Sequence, residues 1–256
     1  MMNHPAEDPA REIMKAKRFG FDYIDLTLEP PGAGVETFDL RSVSKALKRT
    51  GLGVVGHTGW HLPGQAAYPE VRDGVVASLG WAARHFAALG ATMMTYHIHG
   101  AAARYIGLAA GIKAQAEVLG AAAAAAEKLG LTIVLEHTSG RDDQFQILDQ
   151  LFKSVPSLGF HLDLGHANLT DGGPNRLPEF LKRYGRRLRH VHFSDNRGRG
   201  DDHLPLGVGT IDWVDSIRRL KRLGYAGTVT LEVFAADEDY LLLSLKKARE
   251  WFRKIR

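Results

Sequence analysis

Ionisable side chains in this sequence gather at the ends of short apolar stretches. Glu136 lies in TIVLEHTSG, Asp163 in LGFHLDLGHAN, His192 in LRHVHFSDN and Glu232 in GTVTLEVF. His57, His97, His166, Asp201 and His203 sit at or just beyond the ends of similar stretches. One inward histidine or glutamate would be an ordinary hydrogen-bonded core residue. Burying so many without partners would cost roughly several kcal/mol each. A divalent cation offsets that cost and accounts for the mixture of imidazole and carboxylate. With no cysteine in the chain, thiolate zinc sites and disulfide frameworks are excluded. The donors are nitrogen and oxygen, and the ion they suit is Mn, Zn, Co or Mg.

Such residues can meet only if the stretches carrying them lie side by side. Helix-period segments alternate with apolar strands near residues 21, 53, 91, 132, 158, 188 and 227, which predicts a parallel sheet. Helices are expected at about 9–19, 37–49, 69–89, 103–129, 143–153, 176–184, 212–223 and 237–254. A glycine closes many of them, as in RTGLG, ALGAT, KLGLT and RLGYAG. The stretch LGFHLDLGHAN reads as one strand. Side chains two apart share a strand face, so His161 with Asp163, His190 with His192, and Thr230 with Glu232 point inward. The expectation is an α/β (β/α)8 TIM barrel with its first strand short or missing, because only MMNHPAED precedes the first helix. Active sites of that fold lie at the C-terminal ends of the strands, where these residues fall.

A chain of 256 residues, 45% hydrophobic, suits one such barrel, and residues 1–256 are read as a single domain. The formal charge of +4 comes without single-sign blocks, which makes nucleic acid a less favoured partner than a small molecule. The opening MMNHPAEDPAREI has no apolar export segment, and no apolar run approaches the roughly 18 to 20 residues of a membrane span. A cytoplasmic protein with no membrane partner is expected, and a homo-oligomer stays open.

LEHT, HLDLGH, HVHFSDN, DDHLPLGVGTIDW and TLEVF, in that order, resemble the xylose-isomerase-like TIM-barrel superfamily of sugar phosphate isomerases and epimerases, which also includes endonuclease IV. The resemblance runs from about residue 10 to 250. It implies one divalent ion held by Glu136, Asp163, His192 and Glu232, with Glu136 and Glu232 also the catalytic acid/base pair. His166 and Arg197 would contact a carbohydrate substrate; His57 and, in the loop after it, Trp60 are read as pocket residues, with surface packing an equal reading for Trp60. A metal that polarises a carbonyl and its neighbouring hydroxyl stabilises an enediolate, and flanking carboxylates can remove and return the proton. The implied activity is isomerisation or epimerisation of a small sugar, sugar phosphate or polyol ketone. Endonuclease IV relatives assemble three zinc ions on abasic DNA, and their additional ligands would fall on His57, His97, His166, Asp201 and His203. A sugar-derived dehydratase or lyase, or a non-catalytic sugar-binding protein, would use similar groups. The chain departs from the family pattern at His137, where relatives often carry Asn, at Val208, and in its shortened N-terminus.

Other features read more simply. The basic run KRYGRRLRH precedes the strand of His192 and belongs to the opposite end of the barrel from the metal. RGRG at 197–200 is on the same rim as the candidate ligands. His61 accompanies Trp60 in the loop after His57, Glu29 suits a cap or ion pair, and His4 and His85 look structural or exposed.

Overall fold

Helix and strand alternate as the apolar spacing predicts; the computed structural model describes residues 1–100 and 106–255. Two units can be distinguished, Met1–Leu135 with Gln146–Gly159, and Glu136–Phe145 with the chain from Phe160 onward. Among the described residues, no helix is long and apolar enough to cross a membrane.

The first unit contains α1 (Pro9–Arg18), β1 (Tyr23–Leu28), α2 (Leu40–Thr50), β2 (Gly53–Thr58), α3 (Pro69–Ala88), β3 (Met93–His97), α4 (Leu108–Glu127) and β4 (Thr132–Glu136, its last residue in the second unit). It also holds most of α5 (Asp142–Ser154). Strands β1 to β4 follow one another in the sheet, with Ile24, Leu26, Phe86, Met94, Tyr96 and Leu119 buried in the core. Asp8 and Asp39 cap α1 and α2 by accepting backbone N–H groups. Gly51 ends α2 at φ 67°, the left-handed cap that the sequence predicts. Residues 103–105 of the expected fourth helix lie outside the described residues, and α4 starts at Leu108.

The strand expected before α1 survives only as a bridge. Met2 pairs in parallel with Asp25. Asp25 N–H donates to Met1 O at 2.9 Å, and Asn3 Oδ1 accepts Thr27 N–H at 2.7 Å. The side chain of Asn3 thus stands in for a backbone acceptor in this ladder.

The second unit contains β5 (Gly159–Asp163, from Phe160), α6 (Leu164–Asn168), α7 (Leu177–Tyr184), β6 (Leu188–Phe193), α8 (Trp213–Arg222), β7 (Thr228–Leu231) and α9 (Glu238–Lys254). Strands β5, β6 and β7 are parallel, pairing Asp163 with His192 and His192 with Thr230. Phe160, Leu162, Phe180, Val191 and Phe193 fill the core. The reading of LGFHLDLGHAN as one strand needs correction. Asp163 ends β5 because its Oδ1 accepts the His166 N–H at 2.6 Å, starting α6. A 3₁₀ turn at Gly185–Arg187 leads into β6, so the basic run sits at the end of that strand remote from His192. In α8 the buried residues Trp213, Ser216, Ile217 and Leu220 make one helical stripe.

Candidate metal centre

Glu136, Asp163, His192 and Glu232 come together in the second unit. One ligating atom from each lies within 4.8 Å of the others, and all four residues are buried. His192 Nδ1 is 2.9 Å from Glu232 Oε2, 3.7 Å from Asp163 Oδ2 and 3.8 Å from Glu136 Oε1. Asp163 divides its oxygens. Oδ1 is used by the cap of α6, whereas Oδ2 is buried with no hydrogen-bond partner among the described residues. Asp163 Oδ2 is thus an orphaned acceptor set among three carboxylates and one imidazole. The donor set fits a divalent cation that accepts oxygen and imidazole ligands.

Neighbouring groups fix this arrangement. His137 Nδ1 donates to Ser139 O at 3.0 Å, so its Nε2 accepts the Asp163 N–H at 3.3 Å. Its ring stacks on Phe180 with centroids 3.9 Å apart. His137 therefore holds the backbone of Asp163. Gly165 has no room for a side chain: a Cβ would run into Ser194 Oγ and lie 3.0 Å from Asp163 Oδ1. Asn196 ties α6 to the following loop, donating from Nδ2 to Gly165 O at 2.8 Å and accepting from Asn168 Nδ2 at 3.0 Å.

The sequence reading missed Asp195. Wholly buried, it accepts N–H groups from Asn196, Gly207 and Ile211 and the indole N–H of Trp213. It thereby folds residues 196–213 back over the end of β6. The signal was present as an aspartate just beyond a strand, followed by a glycine-rich loop and a tryptophan, but no spacing rule relates those donors to one carboxylate.

The family model described as Xylose isomerase-like TIM barrel matches residues 13–255. The chain belongs to that family. Within this xylose isomerase-like barrel the chain is similar to a ketose 3-epimerase of Arthrobacter globiformis, 28% identical over 246 residues that span 91% of this chain and 80% of that protein. It is also similar to the uncharacterized protein MJ1311 of Methanocaldococcus jannaschii, 36% identical over 113 residues, or 42% of this chain. That match covers only 38% of the relative's length. The solved structure of a D-tagatose 3-epimerase-like protein superposes with a TM-score of 0.81 at 22% identity, covering 94% of this chain and 92% of that one. The fold is thus the α/β TIM barrel expected from the sequence, with its first strand reduced to the Met2 bridge.

The remaining candidate residues of the barrel fall into two groups. In the second unit, Asp201 Oδ2 lies 3.1 Å from both His166 Nε2 and His203 Nε2. His166 Nδ1 is 3.5 Å from Glu136 Oε1, and His203 Nδ1 is 3.8 Å from Glu232 Oε2. His203 adopts φ 46°, uncommon for a residue with a Cβ. Arg197 is exposed, its backbone N–H donating to Asp202 Oδ2 at 3.3 Å. In the first unit, His57 and His97 are buried with ring centroids 5.0 Å apart. Trp60 is 63% exposed, edge-on to His61, which pairs with Glu29 at 3.3 Å. His85 bonds to Trp81 O and lies tilted against that ring with centroids 4.4 Å apart, and His4 is exposed.

Charge and burial set the protonation of the second-unit cluster. Burial pushes the Asp163 carboxyl up to about 7, with Glu232 and Glu136 adding to it against the opposing charge of His166. Burial would depress the imidazolium of His166, yet Asp163, Asp201 and Glu136 hold it well above its ordinary value. For His203, burial is likewise outweighed by the Asp201 hydrogen bond and by Glu232, giving about 9. Burial would raise Glu232, but the charge and hydrogen bond of His192 and the charge of His203 keep it below the usual carboxylate range. Asp201 is lowered by its two histidine partners despite burial.

Proposed function

We propose that this chain is a divalent-metal-dependent epimerase or isomerase of a small ketose, sugar phosphate or related polyol ketone. The observation that carries this reading is the meeting of Glu136, Asp163, His192 and Glu232 within ligating reach of one another. The match with a ketose 3-epimerase over 91% of the chain supports it. When bound, the ion would be held by these four residues and would polarise the carbonyl and neighbouring hydroxyl of the sugar, acidifying the hydrogen on the hydroxyl-bearing carbon next to the carbonyl.

The protein's own groups supply the proton transfer. Glu232 is kept ionised by His192 and His203, so its carboxylate can accept the proton from carbon. Glu136, with Oε1 3.5 Å from His166 Nδ1, stands beside an imidazolium that can resupply a proton after one is delivered. His166 is in turn held by Asp201. Arg197, exposed on the loop beyond Asn196, is available to a hydroxyl or an anionic group of the substrate. Incubation in D2O with ketopentoses, ketohexoses and their phosphates, in the presence of Mn, Co, Mg or Zn, is expected to place deuterium beside the carbonyl. Glu136→Gln and Glu232→Gln should abolish the label. No label with any ketose and any of these metals would overturn the reading.

A three-zinc phosphodiesterase acting on abasic DNA is the second reading, favoured by the placement of Asp201 between His166 and His203. Cleavage of an abasic-site duplex with no ketose labelling would put it first.

A further inference from the structure

The ladder register places a second polar layer directly beneath the candidate ligands. Asp163 pairs with His192 and His192 with Thr230, whereas one layer below His161 pairs with His190 and His190 with Thr228. Interior layers of such barrels are ordinarily filled by Val, Ile and Leu. Here His161 and His190 are both fully buried, in positions where an aliphatic side chain would pack without desolvating any polar atom. Their retention calls for a use.

Four contacts indicate one. His161 Nδ1 is 3.3 Å from Glu136 Oε2, the oxygen other than the one nearest His192 and His166. The ring of His161 meets that of His192 edge-on with centroids 4.1 Å apart, and that of His190 at 4.6 Å. His190 is itself fixed by Thr228, its Nδ1 2.6 Å from Thr228 Oγ1.

We propose that His161 is a positioning residue that holds Glu136 Oε2 through its Nδ1–H, so that Glu136 Oε1 is presented to the ion, with His190 and Thr228 keeping the His161 ring in place. This inference rests on the metal reading of the quartet, and it gives Glu136 the same division of oxygens seen at Asp163. Groups behind a ligand that fix its orientation are commonly worth about 10- to 100-fold in metal affinity.

The test uses full-length protein stripped with EDTA and titrated with Mn2+ by calorimetry, alongside thermal melting in EDTA. His161→Leu should bind Mn2+ about 10- to 100-fold more weakly than the parent. His161→Asn places an amide N–H where Nδ1 was and should recover affinity to within about threefold, whereas His161→Gln, whose amide corresponds to Nε2, should not. A purely structural role would make these variants follow their melting temperatures instead. Equal affinity of all three variants and the parent, or equal loss in Asn and Gln, would overturn the proposal. If His161→Leu does not fold, the Asn and Gln pair decides by the same comparison. A parent protein that binds no Mn2+ overturns the metal reading and this inference with it, whereas tight parent binding with unaffected variants overturns this inference alone.

Discussion

Asp163→Asn should stabilise the metal-free protein and destabilise the metal-loaded one relative to the parent. The Asp163 carboxyl is pushed from an ordinary 3.8 to about 7 by burial and by its acidic neighbours. At about 1.4 kcal/mol per tenfold, the ionised side chain costs the fold about 4 kcal/mol at pH 8. The sign follows from proton counting: between about pH 4 and 7 the native state keeps a proton that the unfolded chain has released, so stability falls as pH rises through that window and then levels. Asparagine is neutral at every pH, caps helices as well as aspartate, and retains an acceptor for the His166 N–H. Urea unfolding in EDTA at pH 8 should therefore show Asp163→Asn about 2–4 kcal/mol more stable than the parent, with a flatter pH dependence. At a Mn2+ concentration about 10,000 times Kd the parent gains about 5 kcal/mol, the variant gains little, and the order reverses. A variant that is less stable in EDTA, or that gains as much from Mn2+ as the parent, would refute the reasoning.

Asp195→Asn leaves two of the four buried donors at that carboxylate unpaired in either amide orientation. The expected cost is about 2–5 kcal/mol, measured by urea denaturation, and a loss below about 1 kcal/mol would show the loop after β6 to be held otherwise. His137→Ala removes the acceptor of the Asp163 N–H and the ring stacked on Phe180, at an expected cost of about 2–4 kcal/mol; an unchanged melting curve would contradict that role. Gly165→Ala should lose about 1–3 kcal/mol to overpacking, and Ser194→Ala in the same chain should recover part of it, because Ser194 Oγ is the nearest obstacle. Strict additivity of the two substitutions in a double-mutant cycle would count against that contact.

What the sequence disclosed followed from periodicity. Alternation by two along HVHF grouped His190 with His192, whose ring centroids lie 5.1 Å apart, and His161, placed inward by the same alternation, meets both rings. The glycine after α2 ended its helix where the helical pattern stopped. Periodicity failed where a side chain replaced the backbone. Asp163 turned an apparent strand into a helix start, and Asn3 extended a ladder whose strand is reduced to a bridge. The roles of Asp195 and His137 were not legible, because the contacts that define them, Asp195 with Gly207 and His137 with Asp163, cross 12 and 26 residues and depend on how the loops close. Two histidines in the layer beneath the ligands were legible as inward-facing, yet only the 3.3 Å approach of His161 to Glu136 gave one of them something to do.

Metal content per chain tests the central claim most directly. Protein purified without chelator and analysed by inductively coupled plasma mass spectrometry should carry one divalent ion per chain, and a chain bearing Glu136→Gln, Asp163→Asn and Glu232→Gln together should carry none. Parent protein free of metal, or a triple variant that retains the ion, would contradict the account, and three zinc ions per chain would transfer the site to phosphodiester chemistry.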